Sequence, residues 1–503
     1  MQVRFGMRGR DTWVLVATIV GSSLAFIDGA VVSLALPEIQ SEFHAGAGNV
    51  AWIVELYTLL LGALMLLGGA LGDRYGRKRV FILGIALFML GSTGCAFSWS
   101  IASMLASRTL QAVGGMLFVP ASLAILGDHF SADARGRAIA AWSAFGSLTS
   151  LLGPTLGGVL IDAFGWRSVF WINVPLGAFV ILVAIRHVRE SRDDDAPRRL
   201  DWLGAALGTA GLGGLTYGLI LSSTAGWCAF AVYASILGGV ALLAAFVIHE
   251  HRTSEPLVPT EIFRSRTFAV INLSTLFLYG SLSAALYELP FAMIQAHGYS
   301  ALQTALGTLP LGVSIIVLSR FAPAFAKRFG VRTVLTVGPA IVAVGFALLA
   351  VLEPLNTYWL AFFPGIFIAG LGMGITVAPL TTTVINAADP RHVGVASGIN
   401  NAVSRIAGLL AIAALTVVLT SLYWTSMQRS LDAMRAAPSI RAVAAAQRDR
   451  LAGAHFADPV LQRDSIIAFD RGFGGVALAC AVLAALAAVA DRLGIDEAQL
   501  RVD

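Results

Sequence analysis

Charge is what this sequence has least of. Of its 503 residues, 13% are Asp, Glu, Lys or Arg, while 57% are hydrophobic. Soluble globular chains carry roughly 25% charged and 45–50% apolar residues, and a chain this long would ordinarily suggest about three or four soluble domains. So few charges cannot coat that many water-facing surfaces, so the chain reads as an integral membrane protein. Lysine is nearly absent: Lys78 and Lys327 are the two among 34 basic residues. The formal net charge of +5 lies in short loops between apolar runs, as membrane proteins distribute it, so no nucleic-acid partner is implied. Cysteine is scarce too. Cys95, Cys228 and Cys480 sit far apart in apolar runs, without CxxC or Cys/His spacing, and read as packing residues rather than disulfides or metal ligands. His249, Glu250 and His251 resemble a metal trio but fall at a basic helix end, where a solvated loop is the simpler reading. No Walker A sequence, nucleophile elbow, dinucleotide fingerprint or HExxH is present, and no nucleophile–base set converges. This argues against ATP-driven pumping by the chain itself and against an enzyme. A sizeable soluble output domain is missing as well, which argues against a sensor.

What the sequence has instead is long apolar runs. A bilayer core of about 30 Å takes roughly 20 helical residues, and fourteen such runs follow one another. They cover about 12–36, 50–72, 80–98, 101–127, 138–161, 168–187, 202–222, 229–249, 267–293, 302–322, 333–352, 358–380, 395–421 and 472–490. They are too long and too uniformly apolar for barrel strands, so the expected fold is an all-α bundle of 14 transmembrane helices. The first run starts basic, as a signal peptide does, but it is long and contains Asp28; it reads as an uncleaved helix. Orientation follows from the short loops. Arg4, Arg8, Arg10, the cluster Arg74–Arg79, Arg135, Arg137, Arg186 through Arg199, Arg252, Arg264, Arg266, Lys327, Arg328, Arg332 and Arg391 fall on one side. The loops on the other side hold almost none, which puts both termini in the cytoplasm. The polar stretch 424–470 carries several Arg on the far side; long loops cross regardless of charge, and its Ala and Arg content suggests a short outer helix capping the bundle.

Charges inside a span are costly and are functional candidates by default. Asp28 in span 1, Glu55 in span 2, Arg108 in span 4 and Glu288 in span 9 stand out. A carboxylate in an apolar cavity can exchange protons near working pH or attract an organic cation. The alternative is a paired structural charge, with Arg108 as one partner. Glu55 lies two turns from the outer end, so an interfacial or cavity-mouth position is equally open. Arg320 and Arg405 lie near inner ends, where long side chains snorkel to the interface.

The loop between spans 2 and 3 reads Gly69-Ala-Leu-Gly-Asp73-Arg74-Tyr-Gly76-Arg77-Lys78-Arg79. Gly76 permits a positive-φ turn, the basic residues hold the loop inside, and Asp73 can pair with Arg or cap a helix. A degenerate copy, Lys327-Arg328-Phe-Gly330-Val-Arg332, follows 254 residues after the first and lacks the acid. Span 5 carries Gly153-Pro154-Thr-Leu-Gly157-Gly158, with glycines for close helix approach and a proline kink. Span 4 carries Arg108-Thr-Leu-Gln111-Ala-Val-Gly114-Gly115, and span 1 ends Phe26-Ile-Asp28-Gly-Ala30-Val-Val-Ser33-Leu-Ala-Leu-Pro37. Together with Gly165-Trp-Arg-Ser-Val-Phe-Trp-Ile-Asn173-Val-Pro-Leu-Gly177 and Leu200-Asp201-Trp202-Leu-Gly204, these segments resemble the major facilitator superfamily, in its fourteen-span drug:proton antiporter branch. The departures are Thr149 for an upstream glycine of the span 5 motif, Ala112 for a glycine in span 4, and Ala30 and Ser33 for a Thr and an Asn in span 1.

The resemblance implies two six-helix bundles, 1–190 and 266–503, with spans 7 and 8 inserted between them at 191–265. It gives Gly69, Asp73, Arg74, Gly76, Arg77 and Lys78 the role of a conformational-switch loop. Gly153, Pro154, Gly157 and Gly158 become an antiporter motif, and Arg108 a residue of proton transfer. The implied activity is proton-coupled efflux of hydrophobic, cationic compounds across a bacterial cytoplasmic membrane by alternating access, driven by the proton gradient with no cofactor. Asp28 and Glu288, with Arg108 and Glu55, are the candidates for coupling and substrate. Glu288, in Tyr287-Glu288-Leu-Pro290, lies outside any shared motif and points to what is particular to this chain. Partners are the small substrate, protons and the lipid bilayer, with room for a periplasmic adaptor and an outer-membrane channel. Export of one endogenous metabolite, siderophore or lipid on the same scaffold is the alternative, and an uptake symporter a further one.

Overall fold

The computed structural model of the protein describes residues 9–192, 201–253, 260–352, 357–387 and 393–496. Arg4, Arg8, Arg198, Arg199, Leu200 and Arg391, used above, lie outside them. Among the described residues the chain is helical throughout, with no strand, and each of the fourteen expected runs falls on a helix. Thirteen helices are long and apolar enough to cross a membrane; the fifth run contributes the shorter apolar stretch Leu152–Phe164. Helix is the form apolar sequence must take in lipid, because every backbone donor and acceptor is satisfied within the segment.

The chain divides into two compact units, residues 1–35 with 52–209, and residues 36–51 with 210–503. In the first unit lie most of α1 (Gly9–Phe43) and of α2 (Ala47–Tyr75), then α3 (Arg77–Ala96), α4 (Ile101–His129), α5 (Ala132–Phe164), α6 (Ser168–Trp171) and α7 (Asn173–His187). Ser100 and Ser103 form a reciprocal capping box that starts α4, satisfying backbone donors the helix cannot. The α3–α4 seam is closed by glycine: a Cβ on Gly114 would lie 2.5 Å from the Phe88 nitrogen. Phe81, Ile85, Phe88 and Phe118 fill the core beside that seam. Asn173 donates to Ser92, which donates to the Phe170 carbonyl, at 2.9 and 2.8 Å, pinning the entrance of α7 to α3.

The second unit begins within α8 (Trp202–Ala225), which packs on α9 (Phe230–Arg252) through Gly214 and Gly239. Then come α10 (Arg266–Pro290), prolonged by a π turn over Phe291–Ala296, α11 (Ala301–Ser319), α12 (Ala322–Phe329), α13 (Val331–Leu352), α14 (Tyr358–Ala361), α15 (Phe363–Asn386) and α16 (Val393–Ala433). Two helices close the chain, α17 (Pro438–Ala446) and α18 (Pro459–Gly494). Gly345 of α13 meets Ala369 of α15 as Gly84 of α3 meets Phe118 of α4, one sign that the halves repeat.

The stretch 424–470 differs from a simple loop around one short helix. α16 runs on to Ala433 and α18 starts at Pro459, so both helices outlast a ~30 Å bilayer core and carry polar sequence beyond it. Between them α17 is followed by a 3-10 turn, Arg448–Gly453, in which Leu451 is forced to φ 53°. The turn rests on the C-terminal end of α1: Gln40 donates to the Arg450 carbonyl at 3.2 Å.

Candidate functional site

In the first unit α1 and α4 bring Asp28 and Arg108 together, 80 residues apart in sequence. Both are 1% exposed, and Arg108 Nη1 donates to Asp28 Oδ2 at 2.5 Å. The pair is supported on every side. Arg108 Nε donates to the Ile53 carbonyl of α2 at 3.0 Å, and Nη1 also to Gln111 Oε1 at 2.8 Å. Gln111 Nε2 donates to Asp28 Oδ1 at 3.2 Å, and the guanidinium lies 4.1 Å over the Tyr57 ring. Cys95 donates its thiol to Gln111 Oε1 at 3.4 Å. Such a pair survives in low dielectric because further hydrogen bonds repay desolvation. Asp28 is therefore a paired charge, one of the two readings the sequence left open.

Glu55 does not join this network. Sequence spacing allowed it an interfacial position, but it is 1% exposed. Neither carboxylate oxygen has a hydrogen-bond partner among the described residues. Helix α2 starts at Ala47, two turns before Glu55, and this turn is buried.

Glu288 of α10, in the second unit, is 3% exposed and accepts one hydrogen bond, from Thr416 Oγ1 of α16 at 3.3 Å. It borders a cleft with Gln40, Gln295, Leu451 and Phe469 that measures about 10 Å³. That is room for roughly one water, far below the ~300 Å³ or more of a drug-sized site.

The span 5 glycines pack against α1 one turn beyond Asp28. A Cβ on Gly157 would lie 2.4 Å from Val31 Cγ1, whereas Gly153 would make an ordinary 3.5 Å contact with Ala30. Gly158 is buried and Pro154 lies inside the helix. Thr149, which stands where an upstream glycine is customary, makes a 3.2 Å hydroxyl contact with Ser23 of α1.

The basic loop is built as its sequence suggests, with partners the sequence did not disclose. Gly76 has φ 110°. Asp73 accepts from Arg77 Nε at 2.8 Å, and Arg77 reaches on to Asp128 of α4 at 3.7 Å. Lys78 Nζ donates to the Ile185 carbonyl at 2.9 Å, while the Glu190 carboxylate accepts the backbone N–H groups of Lys78 and Arg79 at 3.0 and 3.2 Å. Arg74 stacks on Tyr75. Gly69 would tolerate a Cβ, 3.6 Å from Pro120, whereas at neighbouring Gly68 it would collide with the Met116 carbonyl. Asp128 and Glu190 were missed as loop acids; their only signal was a position at the inner end of a span, beside the arginines.

The second copy is simpler. Gly330 has φ 87°, and Arg332 Nε donates to the Arg492 carbonyl at the end of α18 at 2.7 Å. Arg266 donates to the Leu493 carbonyl at 3.2 Å. The first unit does the same with Lys78 on Ile185 and Arg10 on His187 at the end of α7. In both places, one cation two residues past the loop glycine and one at the start of a long helix (α1 or α10) cap the end of a later helix (α7 or α18), where the dipole favours positive charge. Among the described residues, no group of three His, Cys, Asp or Glu is placed to hold a metal.

The Major Facilitator Superfamily model matches residues 18–412. The chain belongs to that superfamily. Among curated relatives it is 31% identical to the multidrug resistance protein Stp of Mycobacterium tuberculosis, over 84% of this chain and 78% of Stp. It is 32% identical to the methylenomycin A resistance protein of Bacillus subtilis, over 81% of this chain and 87% of that one. Among solved structures it is similar to a bacterial homologue of the human lysosomal transporter Spinster in an inward-facing, unoccupied conformation. The TM-score there is 0.70 at 16% identity, covering 97% and 98% of the two chains. As a superfamily member, the protein is a multi-pass transporter of small substrates and not an enzyme.

Proposed function

We propose that this protein exports hydrophobic, cationic compounds across the bacterial cytoplasmic membrane in exchange for protons, by alternating access. The observation that carries the reading is a set of buried carboxylates, one paired with a cation and two without one. Asp28 is balanced by Arg108, while Glu55 and Glu288 form no ion pair among the described residues. Unpaired buried carboxylates are suited to exchange a proton, because carrying one removes the cost of a buried charge. The names of the relatives, which speak of multidrug and antibiotic resistance, favour a drug as cargo.

On this reading the 1–190 and 266–503 bundles are the moving halves and 191–265 is the inserted pair. The basic loops mark the cytoplasmic face, where both termini lie, and the 424–470 cap is extracytoplasmic. Asp73, Arg74, Gly76, Arg77 and Lys78 latch one end state, and the contact of Gly157 with α1 holds Asp28's helix in place. Glu288, beside a water-sized cleft, takes protons rather than cargo. The proton gradient replaces any cofactor, and a periplasmic adaptor with an outer-membrane channel is the partner set to look for. A narrower reading, export of one compound, is favoured by the relative named for methylenomycin alone; the range of compounds moved decides between the two.

The test is uptake of a cationic dye by everted membrane vesicles containing the protein. Uptake should require an imposed proton gradient, collapse with an uncoupler, and be lost in Asp28→Asn and Glu288→Gln. Undiminished uptake after the gradient is collapsed, or full activity in both variants, overturns the coupling.

A further inference from the structure

One buried carboxylate has no part in the site so far. Asp491 is on α18, one turn from its end at the cytoplasmic face, and is 0% exposed. Its Oδ2 accepts from Ser274 Oγ of α10 at 2.7 Å, and its Oδ1 has no hydrogen-bond partner among the described residues. The cations around it are spent elsewhere. Arg266 of α10 donates to the Leu493 carbonyl and Arg332 of α13 to the Arg492 carbonyl, while Arg492 itself is exposed. Asp496, just past the helix, is exposed. Asp491 is thus built like Glu288: an enclosed carboxylate held by one hydroxyl, with no ion pair among the described residues.

The two are linked through α10, which carries both Glu288 and Ser274, the partner of Asp491. Ser274, Ser281 and Glu288 are spaced by seven along α10, and all three are buried. Seven residues are nearly two helical turns, drifting only about 20°, so they form a polar stripe on one face, about 21 Å long for fourteen residues. Facing it on α18, Cys480 and Asp491 are eleven residues apart, close to three turns. Both are fully buried. Successive groups stand about 10 Å apart along the helix, a gap that a proton crosses only when water enters the α10–α18 seam.

We propose that Asp491 is a second proton-binding site, at the cytoplasmic end of the α10–α18 seam, which receives through Ser274 and Ser281 the proton that Glu288 takes up from the extracytoplasmic side. The step is a proton relay alone: the Asp491 carboxylate gains a proton from the seam and loses it to cytoplasmic water. It rests on the proton-coupled reading above.

Two measurements on the purified full-length protein test it. The first reconstitutes the protein in liposomes with ethidium as cargo and reads ethidium-driven proton movement with an enclosed pH dye. Asp491→Asn should cut proton movement at least tenfold while ethidium binding stays within twofold, and Asp491→Glu should restore it. The second is infrared difference spectroscopy across a pH jump, which needs no cargo. A protonated-carboxyl band should vanish in Asp491→Asn and move in Ser274→Ala, which also keeps the test open if Asp491→Asn does not fold. Ethidium transport by the wild type without protons overturns this proposal together with the coupling reading. A coupled wild type with unchanged coupling in Asp491→Asn overturns the Asp491 assignment alone, as does a carboxyl spectrum that neither variant alters.

Discussion

Two buried centres, one in each unit, answer the same problem, acids buried in an apolar bundle, in opposite ways. In the first, Asp28 receives an arginine and a glutamine, and the arginine is in turn held by a backbone carbonyl and an aromatic face. In the second, Glu288 and Asp491 receive one hydroxyl each. A network with every group satisfied resists change, because removing a member strands the others. A carboxylate held by a single hydroxyl keeps the same neighbours whether or not it carries a proton. The contrast fits the function proposed above, with rigidity at the Asp28–Arg108 centre and proton exchange at carboxylates, such as Glu288, that a single hydroxyl holds. The basic loops repeat the pattern: the first is locked by Asp73, Asp128 and Glu190, while the second is held to α18 by Arg332.

The largest effect that would sharpen this contrast is on stability. Arg108→Leu strands Asp28 and should cost about 3–5 kcal/mol, whereas Glu288→Gln, which keeps an acceptor for Thr416, should cost less than about 1 kcal/mol. Thermal unfolding in detergent measures both. Adding Asp28→Leu to Arg108→Leu removes the stranded charge and should recover most of the loss without restoring transport. Equal destabilisation by Arg108→Leu and Glu288→Gln would erase the distinction between the units.

A second, smaller effect concerns the wall behind Asp28. Gly157→Val must displace Val31, which already stands 2.4 Å from the new Cβ, and overpacking of this kind costs typically 1–3 kcal/mol. Gly153→Ala makes only an ordinary contact and should be near neutral. Side-by-side unfolding midpoints and dye-transport rates check the pair. A Gly153→Ala variant as damaged as Gly157→Val would show that the motif acts through something other than this contact.

Hydropathy made the helices legible because lipid leaves the backbone one choice, and motif spacing made the basic loop legible because Gly76 needs a positive φ. Partners were legible only in part. Arg108 stood out as a partner for one of the buried acids, but which acid it meets was not, because the pair with Asp28 joins residues 80 apart and no helical period reports on a neighbouring helix. Asp491 was passed over because it sits just after the apolar run 472–490, where an acid normally faces water; only packing against Ser274 reveals it as enclosed. Glu190 was hidden differently, as one acid in a charged segment whose value lies in two backbone N–H groups. The 424–470 stretch looked polar and therefore loop-like, because hydropathy registers where a helix leaves lipid and not where it ends.

The finest test of the comparison lies in the two loop glycines. Gly76 (φ 110°, ψ 123°) and Gly330 (φ 87°, ψ 146°) occupy backbone conformations that only glycine adopts easily, so alanine at either should cost about 1–3 kcal/mol of strain. At Gly76 there is a further obstacle, since the Glu190 carboxylate stands 2.7 Å from the new Cβ, and that same carboxylate caps the start of α3. Alanine there must push Glu190 away and release the two N–H groups it holds. The second copy carries no acid of its own between residues 318 and 337, so Gly330→Ala bears the strain without the lost cap. Gly76→Ala should therefore slow dye export more than Gly330→Ala at matched expression, and Glu190→Gln should reproduce part of the difference. If the two alanine variants slow export equally, the acids of the first loop contribute nothing to switching, and the basic residues alone set the conformational equilibrium in both halves.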